Sequence, residues 1–247
     1  MINSEVEFER ELGVFGGEIK TAIRSLYCWR TVNLAARDNT RLYNLLNRHA
    51  LFFNTVVDAL QTNFVIVLGR VFDDDKRSHS ISRLLQIAED NPSIFSKVAL
   101  AERKRRGNAN ASDWLDEYMR KVYVPPPPIF KRIRRYVDVR RKIYESNYKK
   151  LRNKLEAHKD RINENDLQAL IAKTNIPELE RLLVFLLRLH EALWNLFHNG
   201  RKPTLRPMRY SAALIRKLPE GGAGQVQVEI TQATERFLKA IVTESSS

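Results

Sequence analysis

Apolar residues recur at intervals of three and four along most of the chain, the spacing that places them on one face of an α-helix. In the first stretch Val6, Leu12, Ile19, Ile23 and Leu26 follow this pattern. The same pattern continues downstream and predicts helices over approximately residues 5–37, 40–72, 80–89, 93–106, 113–123, 129–162, a short stretch near 165, and 177–197. The chain is therefore predicted to be an all-α bundle.

Residues that cap or interrupt helices set the predicted boundaries. Asn39 or Thr40 is suited to cap the second helix, because a short polar side chain can accept a hydrogen bond from the first helical turn. Gly16-Gly17 is expected to weaken the first helix. Four successive prolines, 125–128, cannot all be helical and are expected to form a stiff extended spacer.

The helical pattern ends at Asn199-Gly200, a pair typical of a helix C-terminus. Beyond it, prolines and glycines become frequent. Residues 225–230 alternate between polar and apolar, which predicts a short strand, and 234–242 are predicted to form a final helix. We therefore expect a helical domain over residues 1–200 and a loop-rich, irregular C-terminal tail over 201–247.

Composition limits the class of protein. The single cysteine, Cys28, excludes an intramolecular disulfide framework and a cysteine-based zinc site. The acidic N-terminus lacks the basic and apolar segments of a signal peptide. The longest apolar runs, 64–68 and 182–187, are much shorter than the ~20 residues needed to span a bilayer. These features predict a cytoplasmic protein without a membrane partner.

Charge is concentrated in one predicted helix. The chain has 42 basic and 29 acidic residues, a formal net charge of +13, which favours a polyanionic partner. Residues 131–161 hold 13 basic and four acidic residues and so contribute +9. Tyr136, Tyr144 and Tyr148 lie among the cations and could stack on bases. The residues predicted to contact RNA are Arg134, Arg135, Arg140, Arg141, Lys149, Lys150 and Lys154. The alternative is a solvated helix face with its tyrosines in the core.

The same helix carries an apolar stripe, by which it is expected to dock while exposing its basic remainder. The stripe consists of Ile133, Val137, Tyr144, Tyr148, Leu151, Leu155, His158 and Ile162. Arg152 borders this stripe. It lies six positions before His158, which corresponds to ~9 Å along the helix axis and ~120° around it. The two do not stack directly, but the long arginine side chain could bring both groups to one phosphate.

Arginine and histidine together could cleave RNA without a metal ion. Arg152 could bind a phosphate through paired N–H donors and stabilise charge on its oxygens. His158 could accept a proton from a ribose 2′-hydroxyl or donate one to the leaving 5′-oxygen. Asn153 could orient the histidine or contact the phosphate. The competing interpretations are a hydrogen-bonded core histidine and an ion pair between Arg152 and Glu156. No spacing of His and carboxylate residues predicts a metal site.

Two segments resemble a known family. Residues 151–160, LRNKLEAHKD, resemble the Arg-x4-6-His motif of HEPN domains. More closely, they resemble the R-[DN]-K-x-x-A-H-x-D signature of the abortive-infection, AbiU-like HEPN group. Residues 68–85, LGRVFDDDKRSHSISRLL, are similar to the R-x-F-D…S-x-S-[LI]-x-x-L-L segment of the same group. The resemblance covers roughly residues 42–200.

This resemblance implies a HEPN-like antiparallel bundle of four or five core helices, with short additional helices, that forms a homodimer. It implies Arg152, Asn153 and His158 as the active set of a ribonuclease that needs no metal or other cofactor. The setting would be a prokaryotic abortive-infection or toxin–antitoxin system, with a neutralising antitoxin as a further partner. Because some HEPN domains are not catalytic, the alternative is a non-catalytic RNA-binding or protein-interaction module.

Overall fold

The computed structural model describes residues 2–73, 75, 78–106, 108, 110, 113–156, 175–205, 215–216 and 225–244, without the side chains of residues 2–3 and 154–156. The helices in these ranges are α1 (Ile2–Asp38), α2 (Thr40–Arg48), α3 (Ala50–Val71), α4 (Ile81–Asp90), α5 (Lys97–Arg105), α6 (Leu115–Arg120), α7 (Pro128–Asn147), α8 (Lys149–Glu156), α9 (Ile176–Asn199) and α10 (Val226–Glu244). The ranges contain no strand, and the predicted all-α fold is confirmed.

Several helices begin and end at residues suited to those positions. Asn39, Ser80 and Ser96 precede α2, α4 and α5, and each side chain accepts a hydrogen bond from the backbone N–H three residues on, at 3.0, 3.4 and 3.2 Å. These bonds satisfy N–H groups that lack a partner within the helix. At the end of α9, Gly200 has a φ of +54°, and a Cβ at this position would lie 2.6 Å from Val122. Both facts explain why a glycine ends this helix.

The glycine pair in the first helix does not interrupt it. α1 runs continuously from Ile2 to Asp38, so the expected weak point at Gly16-Gly17 is not a break. The ring of His190 occupies the space that a Cβ of Gly16 would need, with its Cδ2 and Cε1 atoms 2.8 Å from that position. Gly16 is therefore explained by the close approach of a side chain from α9.

Two predicted long helices are each divided. The prediction for 40–72 is wrong at His49, where α2 ends before α3 begins. The prediction for 129–162 is wrong at Tyr148, which separates α7 from α8. Pro128 was assigned to the spacer but is the first residue of α7, a position that suits proline because its missing N–H has no helical partner there. The end of this prediction and the helix near 165 lie outside the described residues.

The expected strand over 225–230 is wrong, because residues 226–230 belong to the first turns of α10. Val228, Thr231, Thr234 and Leu238 are buried at helical spacing, which continues through the segment that looked alternating. Leu238 is 2% exposed and packs in a cluster with Ala35, Leu42 and Leu46. Residues 226–244 are thus helical, so the final helix begins before the predicted residue 234, and the division of the chain at residue 200 stays a prediction.

The chain separates into two compact units. The first contains Met1–Gly17, Arg70–Glu145 and Phe185–Pro207. Its core includes an aromatic cluster in which Phe8 contacts Phe95 and Phe197, and Phe95 contacts Phe130, at centroid distances of 4.8–5.1 Å.

The second unit contains Glu18–Gly69, Ser146–Val184 and Met208–Ser247. Its most buried large side chains include Tyr27, Phe64 and Tyr148, each at most 1% exposed. Asn63 in α3 donates a 2.7 Å hydrogen bond to the hydroxyl of Ser25 in α1, which ties these two helices together. Because α8 belongs to this unit, so does Arg152.

Among the described helices, α3 has the length and apolar composition that could span a bilayer. Its second half lies in the core, with Phe64, Val65 and Leu68 at most 1% exposed, while Leu51 and Phe52 near its start are exposed. One such helix is weak evidence for a membrane span, because core helices of soluble proteins share its composition.

Candidate functional site

Arg152 lies against the backbone of α3 at Gly69. A Cβ built on Gly69 would be 2.6 Å from Nε of Arg152, 2.7 Å from its Cδ and 2.9 Å from its Cγ. Real carbon contacts lie near 3.5–4.0 Å. The middle of the arginine side chain therefore runs over the one surface of the helix that lacks a side chain. Gly69 is buried, and Arg152 is half-buried with its Nε inaccessible to solvent.

Tyr148 holds the start of α8 in place. Its side chain is 1% exposed, and its hydroxyl lies 3.0 Å from both the Asn175 carbonyl oxygen and Oε1 of Glu178. Asn147 donates to the same carboxylate oxygen at 2.8 Å. Burial and the Glu178 carboxylate both raise the pKa of the Tyr148 phenol, so it stays protonated and donates to these acceptors. Arg152 follows one turn later, its backbone N–H bonded to the Tyr148 carbonyl at 2.9 Å.

The other predicted active residues are placed only in part. Asn153 is exposed on α8, directly after Arg152. His158 lies outside the described residues, as does the side chain of Lys154. The pairing of Arg152 with His158 therefore stays a prediction.

Three of the predicted RNA-contacting arginines of α7 are used inside the protein. Arg134 donates through Nε to Oε1 of Glu89 at 2.9 Å. The guanidinium of Arg140 lies 4.4 Å from the ring centroid of Phe185, and burial lowers its pKa. Arg141 donates to the hydroxyl of a serine in α4. These three are half-buried and already engaged inside the protein, and their role in RNA contact stays a prediction.

Arg135, Lys149 and Lys150 are exposed, as RNA contact would require. Beside Arg135, sequence reasoning missed a surface concavity of about 600 Å³ that runs along the first turns of α7. We call this the α7 groove; its principal lining residues are Pro128, Lys131, Arg132, Arg135, Tyr136 and Val139. A helical-wheel plot could have found the α7 groove, because the cations of the groove and Tyr136 lie on the side of the helix away from the buried residues Ile133 and Val137.

Comparison with known proteins places the chain in a family. A family model described as AbiU2, of the HEPN type, matches residues 5–213. The chain belongs to the AbiU2 family of HEPN proteins. The match extends further in both directions than the resemblance over 42–200 and includes most of α1, but it ends before α10. No curated protein and no solved structure matches the chain.

In this AbiU2-family protein, the two segments that carry the family signature meet in space. Gly69 belongs to the upstream segment, residues 68–85, and Arg152 to the downstream segment, residues 151–160. Their contact joins positions that are 83 residues apart in the chain. Sequence comparison shows that the two segments occur in this order along the chain. It does not show that the arginine of the downstream segment packs against the glycine of the upstream one.

Two other histidines of the AbiU2-family protein, His79 and His190, have structural explanations. The ring of His190 packs on Phe15 at 5.9 Å and fills the space beside Gly16. His79 lies 2.8 Å from a carboxylate oxygen of the buried Glu11. Within the described part of the chain, no group of three His, Cys, Asp or Glu side chains is arranged to hold a metal ion.

Proposed function

We propose that this HEPN protein is an endoribonuclease that cleaves RNA without a metal ion, in a prokaryotic abortive-infection or toxin–antitoxin system. The observation that most supports the proposal is the contact of Arg152 with Gly69. This contact restricts the direction of a permanently charged side chain, which is suited to bind a phosphate, at the position where the HEPN motif has its arginine. A solvated arginine on a helix surface would have no such seat.

The proposed reaction is an internal transesterification. His158 takes the proton of a ribose 2′-hydroxyl, whose oxygen attacks the adjacent phosphorus, and the bond to the 5′-oxygen of the next nucleotide breaks. The protonated His158 then donates its proton to the leaving 5′-oxygen, which gives a 5′-hydroxyl and a 2′,3′-cyclic phosphate. Arg152 binds the phosphate and stabilises the negative charge that grows on its oxygens in the transition state. Asn153 orients the histidine or contacts the phosphate.

The proposal includes a homodimer in the cytoplasm. A two-fold axis would bring two copies of α8 to one cleft, so that each protomer contributes Arg152 and His158. An antitoxin that covers the cleft would neutralise the enzyme. Sedimentation velocity of the full chain tests the dimer, with a monomer at micromolar concentration as the contradicting result.

Cleavage in excess EDTA tests the reaction. We expect the wild-type chain to cut a labelled RNA, and Arg152→Ala and His158→Ala each to lower the rate ~100-fold or more. Lys20→Ala, which removes an exposed cation from α1, should keep the wild-type rate. Products should end in a 2′,3′-cyclic phosphate, and an RNA with 2′-O-methyl groups should stay intact. Equal cleavage by the wild type and both variants, with unchanged helical circular dichroism, refutes the site.

The second candidate is a non-catalytic RNA-binding module, which is favoured by the exposed cations of the α7 groove. It predicts binding that weakens with salt and survives His158→Ala, without any cleavage product. Measuring binding and cleavage on the same RNA separates the two candidates.

A further inference from the structure

α7 has an outer face that the packing of its own unit does not use. Its buried face consists of Phe130, Ile133, Val137 and Tyr144. On the opposite side, Arg135, Tyr136 and Val139 follow Arg132 by three, four and seven positions, and all four side chains are exposed. Side chains at such intervals are neighbours on a helix surface. They form one continuous strip along the α7 groove.

The positive charge of this strip is not neutralised within the described part of the chain. Lys131, Arg132 and Arg135 make no ion pair there, in contrast to Arg134, which is bound to Glu89. None of the described residues that line the groove is a carboxylate, and the first turn of α7 carries no acidic residue. The groove lies near the N-terminus of α7, where the helix dipole adds further positive potential. An anionic ligand is therefore complementary to this surface.

Tyr136 narrows the class of anion. It is 42% exposed, whereas Tyr144 and Tyr148 of the same basic segment are 3% and 1% exposed. Val139 beside it is also 54% exposed. An acidic peptide or a free phosphate would use the cations and leave this ring in water. A single-stranded nucleic acid uses both, because its phosphates bind the cations while an unpaired base stacks on the ring. A duplex keeps its bases stacked on one another and cannot use Tyr136 in this way.

We propose that the α7 groove is a docking surface for single-stranded RNA. Tyr136 stacks on an unpaired base, and Lys131, Arg132 and Arg135 contact the flanking phosphates. This inference rests on the proposed function, because the groove would bind the RNA substrate of that function in addition to Arg152 and His158.

Fluorescence anisotropy of the full chain tests the groove without interference from cleavage. The probe is a fluorescein-labelled 2′-O-methyl oligonucleotide of about 12 nucleotides of mixed A and U, which lacks the attacking hydroxyl and is long enough for a stacking site. Tyr136→Ala should raise Kd at least ~5-fold, and Tyr136→Phe, which keeps the ring, should stay within ~2-fold. Arg135→Gln should reduce the slope of log K against log salt by ~0.7, the value for one phosphate contact on a single strand. Lys20→Gln, an exposed cation on α1, should change neither quantity.

The outcomes separate the groove from the proposed function. If Tyr136→Ala and Arg135→Gln bind as the wild type does while the wild type binds and cleaves RNA, the groove is overturned and the ribonuclease stands. If the wild type neither binds nor cleaves RNA, both proposals are overturned. A drop in solution mass for Tyr136→Ala would assign the groove to contact between two copies of the chain and would overturn RNA docking. Equal dependence on Tyr136 for a duplex probe would overturn the single-strand assignment.

Discussion

The contact between Gly69 and Arg152 can be tested by adding one methyl group. In Gly69→Ala the new Cβ would lie 2.6–2.9 Å from Nε, Cδ and Cγ of Arg152, about 1 Å inside the distance of ordinary contact. These atoms are the middle of the side chain, so its guanidinium must move with them. A displacement of about 1 Å in a positioning group can cost ~100-fold in rate. We expect a loss of this size in RNA cleavage.

The effect of the same methyl group on stability should be small. Alanine is more favourable than glycine within a helix by ~0.5–1 kcal/mol, while overpacking a buried site costs ~1–3 kcal/mol. The net expectation for Gly69→Ala is a loss of ~1 kcal/mol. Gly13→Ala is the matched control, because Gly13 is also within a helix but no atom lies within 4 Å of its added Cβ. It should gain ~0.5–1 kcal/mol and leave cleavage unchanged.

Two measurements decide the outcome: initial cleavage rates in excess EDTA, and unfolding free energies from urea titrations. They should be made for Gly69→Ala, Arg152→Ala and the double variant. Because the methyl group acts through Arg152, the double variant should be no less stable than Arg152→Ala alone. Additive losses of stability would show that the clash is with another group. A wild-type cleavage rate for a folded Gly69→Ala would refute the reasoning that this seat orients the arginine for catalysis.

Three further predictions concern the elements around the site. Tyr148→Phe removes the hydroxyl that reaches Asn175 and Glu178, and thermal unfolding should show a loss of ~0.5–1.5 kcal/mol, the net contribution of a typical hydrogen bond, because Glu178 still accepts from Asn147. Leu238→Ala should cost ~2–5 kcal/mol in a urea titration, because it opens a cavity in the buried cluster. Burial lowers the pKa of His198, partly offset by Glu9. The unfolded state then binds more protons than the folded state below about pH 6.5, so stability should fall as the pH drops from 7 to 5.

Each of these predictions has its own control. Tyr43→Phe, at a side chain that is 54% exposed, should leave the melting temperature unchanged, and an equal shift would contradict the role given to the Tyr148 hydroxyl. Phe237→Ala, next to Leu238 but 54% exposed, should stay within ~0.5 kcal/mol of the wild type. For the histidine, His198→Gln should flatten the dependence of stability on pH, and an unchanged slope would assign that dependence to other groups.

Only those features of the candidate site that depend on residue types and their order within a short segment are predictable from the sequence. A short motif predicts Arg152, Asn153 and His158 as site residues; the family match over residues 5–213 confirms the family, and the role of the three residues stays a prediction. The RNA-contacting role of the cations stays a prediction, but the structure separates cations that are already engaged inside the protein from exposed ones. Arg134 and Arg140 are as basic as Arg135, but an ion pair with Glu89 and contact with the Phe185 ring engage the first two. Neither contact partner is near in sequence, so net charge alone could not separate these arginines.

For the fold too, features that depend on neighbouring residues are predictable from the sequence, and features that depend on distant contacts are not. Asn39 caps a helix as expected, because capping involves atoms only three residues apart. The alternation of Val226, Val228 and Ile230 was interpreted as a strand, since six residues fit either period. The segment is helical because buried residues continue at helical spacing as far as Leu238, which packs against residues of α1 and α2.

The all-α class, most helix boundaries, the segment that carries the charge and the motif residues are predictable from the chain alone. These depend on hydrogen bonds and apolar periodicity within one stretch of chain. The packing of the helices shows in addition that the side chain of Arg152 lies against Gly69, that His190 fills the space at Gly16, and that Tyr136 is the exposed tyrosine of the basic segment. The physical reason is that these relations depend on which helices pack together. That choice follows from the apolar faces of the whole chain and not from any local pattern.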